Sequence, residues 1–170
     1  PGSEAILPLA RIAAAQGVTV ALFGSSAPVL AAAAEYLERE VRDLEVVSQI
    51  APPMGFDPAD AEAQEMLRQI SASGARLCFV ALGAPKQESF AATGRRIAPD
   101  IGFASIGAGL DFFAGTQQRA PNWVRKIAME WLWRMMLDPR RLFGRYFKCA
   151  LALPGLTVRA LLLRLSDRRD

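Results

Sequence analysis

The chain has 170 residues, 52% of them hydrophobic and 22% charged, with a formal net charge of +3. That balance describes one domain with a real core and room for an appendage, and it excludes a disordered chain. There is no histidine, which removes the usual base near neutral pH, every Ser–His or Cys–His nucleophile pair and the ordinary zinc ligand sets.

The charge is unevenly placed. Residues 1–118 hold 8 basic and 13 acidic side chains, a net −5, whereas residues 119–170 hold 12 and 4, a net +8. A basic last third points to an anionic partner there, membrane or nucleic acid. Cys78 and Cys149 are far apart, so no disulfide framework is expected, in keeping with a reducing compartment. The opening Pro1-Gly-Ser-Glu4 lacks a Met and a signal pattern and reads as a fragment boundary. No run reaches the roughly 18–20 consecutive apolar residues that span a bilayer.

In chain order, apolar spacing predicts a helix over 4–16, ended by Gly17. Val18–Phe23 is a short, continuously apolar run of β-formers, as buried strands of parallel sheets are. The Gly24-Ser25-Ser26 turn then opens an alanine-rich helix over 29–41, with Ser25 or Ser26 as its cap. Strand, Gly-Ser turn and helix start make a phosphate cradle, because free N–H groups and the helix dipole face the turn. An ordinary serine-capped turn fits the same residues.

A strand is expected over 44–50, then a proline-bound loop over 51–56. The next helix runs to Ser73, with Asp57 as cap and Pro58 in the first turn. Leu77–Leu82 is a third strand. The alternation of helix and strand predicts a Rossmann-like α/β fold, a parallel sheet flanked by helices with right-handed crossovers.

Gly83-Ala-Pro-Lys-Gln-Glu88 comes straight off that third strand, where ligands of such sheets collect. Lys86 suits a phosphate, and Gln87 and Glu88 suit hydroxyls or a base edge; on pattern alone a solvated first helical turn fits them better. A helix to about Ile97 and a strand over 101–106 lead to Gly107-Ala-Gly-Leu-Asp111, where glycines permit a sharp turn or close approach to a ligand. Asp111 is the one carboxylate of this stretch and its candidate catalytic group. Beyond Pro121, Trp123, Ile127, Trp131, Leu132 and Met135 recur at helical spacing among basic residues, and Arg140–Lys148 is again basic and aromatic. This is the pattern of a membrane-docking helix pair; two helices packed on the sheet fit it too. No nucleic-acid recognition motif is present. The expected division is an α/β domain over 1–121 and a basic, membrane-associating helical appendage over 122–170.

Gly83–Glu88, Gly107-Ala-Gly-Leu-Asp-Phe112, Ala114-Gly115, Arg119-Ala-Pro121, Trp123, Glu130-Trp131, Arg134, Pro139-Arg140 and Arg145-Tyr146, taken in order, resemble the WecG/TagA/CpsF glycosyltransferases. The resemblance runs from about Gly17 to Phe147. It implies an inverting, metal-independent enzyme without a cofactor, moving a sugar from a UDP-sugar to a polyprenyl-diphosphate-linked sugar. The sugar would be N-acetylmannosamine-like or a related hexose. The setting would be wall teichoic acid or exopolysaccharide synthesis at the cytoplasmic face of the bacterial inner membrane, with the chain bound peripherally to an anionic surface.

On the same resemblance, Gly24, Ser25, Gly83, Pro85, Lys86, Gln87 and Glu88 border the nucleotide-sugar cleft, and Gly107, Gly109 and Asp111 form its other wall. Arg119, Arg134, Arg140, Arg141 and Arg145 face a diphosphate of donor or acceptor. The family's base Asp and a substrate-binding Thr are expected upstream of the position of Pro1, so Asp111 is expected to position substrate more than to take the proton. A non-catalytic membrane-associated nucleotide-sugar-binding module is the alternative. A dinucleotide-binding oxidoreductase is disfavoured because no full glycine fingerprint follows the first strand. Nucleic acid is not an expected partner, and a homo-oligomer is left open.

Overall fold

The computed structural model describes residues 2–113. The sequence expectations beyond residue 113 lie outside the described residues: the domain boundary, the helices after Pro121, the basic appendage and the five arginines.

Four helices alternate with four strands: α1 (Gly2–Ala15), β1 (Val20–Gly24), α2 (Ala27–Glu40), β2 (Val46–Ile50), α3 (Ala61–Ala72), β3 (Leu77–Ala81), α4 (Lys86–Ile97) and β4 (Gly102–Ser105). A 3-10 turn over Gly107–Phe112 follows. All pairings are parallel, in the spatial order β2-β1-β3-β4. The chain thus starts in the middle of the sheet, steps outward to β2, crosses back over β1 to β3 and continues to β4. The reversal between β1 and β3 is the switch point of a doubly wound α/β fold, as the helix–strand alternation predicts.

Side-chain alternation along β1 and β3 divides the core into two faces. Val20, Leu22, Phe79 and Ala81 pack with Ile6 and Ala10 of α1, with Leu30, Ala33 and Leu37 of α2, and with Ile106 and Leu110. Ala21, Phe23, Cys78 and Val80 pack with Ala63, Leu67 and Ile70 of α3 and with Phe90 of α4. Helices therefore cover both faces, which is why the two central strands read as unbroken apolar runs. Phe23 and Phe90 stack with their ring centroids 4.0 Å apart. Each such ring, wholly buried, contributes about 1.5–3 kcal/mol by leaving water.

One expectation is corrected. Asp57 does not cap α3; Asp60 does, its carboxylate accepting from Ala63 N–H at 2.9 Å, and the helix begins at Ala61. Asp57 instead accepts from Ala59 N–H at 2.9 Å, forming a separate turn ahead of the helix around Pro58. Either aspartate could serve as a cap. The turn absorbs the first and leaves the second at the true helix start. Strand limits differ from expectation by at most two residues, and the end of β2 and the start of β3 not at all.

Candidate functional site

Because every strand runs the same way, the carboxyl ends of β1, β3 and β4 lie along one edge. The loops leaving them carry the described candidate residues, and the topological reversal between β1 and β3 marks this edge as the place where sheets of this kind form a ligand crevice.

The floor of the crevice is made of backbone. Gly24 ends β1 with φ +100 and lies directly beside Ala81, the last residue of β3. A Cβ on Gly24 would fall 2.5 Å from the Ala81 carbonyl oxygen. Only glycine permits both the dihedral and the approach.

Ser25 follows with φ +59. A non-glycine residue held in the left-handed region costs about 1–2 kcal/mol, and such strain gathers where structure serves function. Ser26 occupies the cap position of α2, but no side-chain bond caps the helix. Ser25 Oγ donates to Asp111 Oδ1 at 3.0 Å across 86 residues of sequence. The packing of the 3-10 turn delivers that carboxylate: Ile106 and Leu110 are buried in the core face shared with α1 and α2, and Phe113 stacks on Tyr36 of α2 with centroids 4.8 Å apart. Asp111, one residue after Leu110, is thereby set at the start of α2, where the positive end of the helix dipole favours a carboxylate.

The loop after β3 leads into α4 through a cis Ala84–Pro85 bond. Lys86, Gln87 and Glu88 form the first turn of α4. Gln87 Oε1 accepts from Gly107 N–H at 3.0 Å, and its Nε2 donates to Glu88 Oε1 at 2.8 Å. These two bonds fix the orientation of the amide. Gly107 itself has φ +57, so the turn it opens is held by glycine's freedom on one side and by Gln87 on the other. Lys86 Nζ donates to the backbone carbonyl of Phe56, in the loop after β2.

Four loops are therefore tied to one another at this edge. The structure brings Gly24 and Ser25 together with Asp111, and Gln87 and Glu88 together with Gly107. Gly109 is buried behind the rim, while Gly83 and Pro85 stand on the exposed approach to α4. The anchoring role of Phe56 escaped sequence reasoning; a lone aromatic in a Pro-Gly loop was the available signal. Among the described residues no group of three or more Cys, Asp or Glu is placed to hold a metal ion, and no helix is long and apolar enough to cross a membrane.

An open depression, lined by Arg11, Ala14, Ala15, Glu40, Val41, Arg42 and Asp43, lies where α1 and α2 end. That is the opposite edge of the sheet. Its charges are exposed and of both signs, as in the Arg42–Asp43 pair at 3.9 Å, and it has neither a glycine turn nor the switch point. The carboxyl edge is therefore the candidate site.

A family model described as "Glycosyl transferase WecG/TagA/CpsF family" matches residues 1–170. The chain belongs to that family. WecG/TagA/CpsF membership makes it a glycosyl transferase by descent, and the loops it shares with the family by resemblance, Gly83–Glu88 and Gly107–Phe112, are those that meet at the carboxyl edge.

Proposed function

We propose that the carboxyl-edge crevice binds a UDP-sugar and that the chain transfers its sugar, with inversion, to a sugar carried on a polyprenyl diphosphate. The product would serve bacterial cell-surface polysaccharide synthesis. The observation that carries this reading is the Ser25–Asp111 hydrogen bond. It places a carboxylate at the mouth of a crevice whose floor is main chain.

The sign of that charge bears on what lies where. A diphosphate seated on the Gly24-Ser25 turn would face Asp111, and the Ser25 hydroxyl is already donated to the carboxylate. A sugar hydroxyl or acetamido N–H suits this corner better than a phosphate does, since a carboxylate only accepts. We assign Asp111 to orienting the sugar. Gly107, Gly109, Gln87 and Glu88 form the adjoining wall. The donor or acceptor diphosphate falls to Arg119, Arg134, Arg140, Arg141 and Arg145, whose guanidinium groups match phosphate oxygens in bidentate fashion.

In the transfer, the acceptor hydroxyl oxygen attacks the anomeric carbon, the bond from that carbon to the diphosphate oxygen breaks, and UDP leaves with the electron pair. A base takes the hydroxyl proton. The family resemblance gives that role to an aspartate, and no histidine of this sequence competes for it. The basic stretch after residue 118 would hold the chain at an anionic membrane surface, on the cytoplasmic side where UDP-sugars are made.

The deciding experiment is transfer from a panel of UDP-sugars to a lipid-diphosphate acceptor analogue, using this chain and a version extended upstream. Turnover by the extended version supports the proposal. Absence of both UDP binding and transfer across the panel sinks it. UDP-sugar binding without turnover in either version favours a non-catalytic nucleotide-sugar module.

A further inference from the structure

Lys86 occupies the first position of α4, where the helix dipole disfavours a cation. Its ammonium donates to the Phe56 carbonyl, thirty residues earlier. Phe56 is fixed in two further ways. Its ring is buried, lying edge-on to Phe23 and Phe90 at centroid distances of 5.6 and 6.0 Å. Its N–H donates to the Pro53 carbonyl at 3.1 Å. That bond closes a four-residue turn in which Gly55, at the third position, has φ +86, as a type II turn requires. Met54, at the second position, is fully exposed (101%). Ring, amide and carbonyl together hold the turn beside the end of β1, at the same edge as the crevice.

We infer that Lys86 is a positioning residue: it pins the Pro53–Phe56 turn as a side wall of the donor crevice and does not bind the donor's diphosphate. The inference rests on the nucleotide-sugar reading of the crevice. A backbone carbonyl has no side chain to vary, so the lysine's reach and donor are what fix the turn. An ammonium that left for a phosphate would strip that carbonyl of its donor and leave the turn held only by the buried ring and by its own Phe56–Pro53 hydrogen bond. The charge that meets the diphosphate must then come from elsewhere, in line with assigning it to the arginines after residue 118.

The test uses the full chain carrying Cys149→Ser and Met54→Cys, the latter bearing a nitroxide label; Cys78 is fully buried and does not compete for the reagent. Lys86→Met removes the donor at nearly constant length, and Lys86→Gln restores a neutral one. The expected result for Lys86→Met is a narrowed, mobile label spectrum with the melting transition retained. UDP-sugar binding weakens about fivefold, as loss of one hydrogen bond implies, and by the same factor at low and high salt. Lys86→Gln recovers part of both effects. An unchanged label spectrum overturns the inference. So does a loss of affinity that disappears at high salt, since that is the mark of a removed phosphate contact. Should the unsubstituted chain bind no UDP-sugar, the donor reading fails, and the label still decides whether Lys86 holds the turn.

Discussion

Ser25 Oγ and Asp111 Oδ1 lie 3.0 Å apart, and the serine that makes this bond does so from a left-handed backbone conformation. Substitution separates the two terms. Ser25→Ala loses the hydrogen bond and keeps the strain, and should destabilise the fold by about 1–2 kcal/mol. Ser25→Gly loses the same bond but relieves about 1 kcal/mol of strain, so it should unfold close to the parent. Urea titration of both variants measures the difference. Equal midpoints would show that the dihedral stores nothing.

Asp111→Asn keeps an oxygen that accepts from Ser25 and removes the charge. If Asp111 orients the sugar, kcat/KM in the transfer assay should fall about 10–100-fold, the worth of a hydrogen bond to a charged group, while the melting temperature stays close to that of the parent. A much larger collapse of kcat with KM unchanged would assign the proton transfer to Asp111 itself.

Gly24→Ala should be severe. The new Cβ meets the Ala81 carbonyl oxygen at 2.5 Å from a dihedral that alanine resists, and about 3 kcal/mol or more of stability should be lost. Gly55→Ala, also at positive φ but with nothing within 4 Å of the added atom, should cost only the conformational term of about 1–2 kcal/mol. The gap between the two in parallel melts isolates the steric part.

Cys78 supplies a pH prediction. Burial in the face shared with α3 and α4 pushes its thiol up from 9.0 to about 12. The unfolded chain therefore loses this proton first as pH rises, and the native state holds more protons between those two values. Stability should be unaffected by this group below pH 9.0 and should fall above it, by up to about 1.4 kcal/mol per pH unit. In a Cys149→Ser background, a thiol reagent at pH 8 should react only after denaturant is added. Rapid modification of the folded protein would contradict the burial.

The fold was legible because its determinants are local and periodic. Val20–Phe23 and Leu77–Val80 are apolar without a break since both of their faces are covered, and Gly17, Gly24 and Gly74 take the positive φ angles at which the chain turns. The site was legible only as a set of loops. Nothing in the spacing of Ser25 and Asp111 tells that they touch, because their meeting depends on the burial of Leu110 against α2. The choice between Asp57 and Asp60 as helix cap was likewise invisible: both suit the role chemically, and the turn around Pro58 decides between them. The position of Lys86 at a strand end suggests a phosphate partner, whereas the carbonyl it meets, that of Phe56, lies thirty residues back in a loop with no periodic signal.

The contact between Gly24 and Ala81 has one more consequence. Where the bottom of a binding crevice is main chain against main chain, mutation can neither deepen nor tilt it without breaking the sheet. On the proposed nucleotide-sugar reading, changing which sugar is handled would therefore be a matter of swapping rim residues above this backbone base. Grafting the rim loops of one such enzyme onto another should carry donor preference with them.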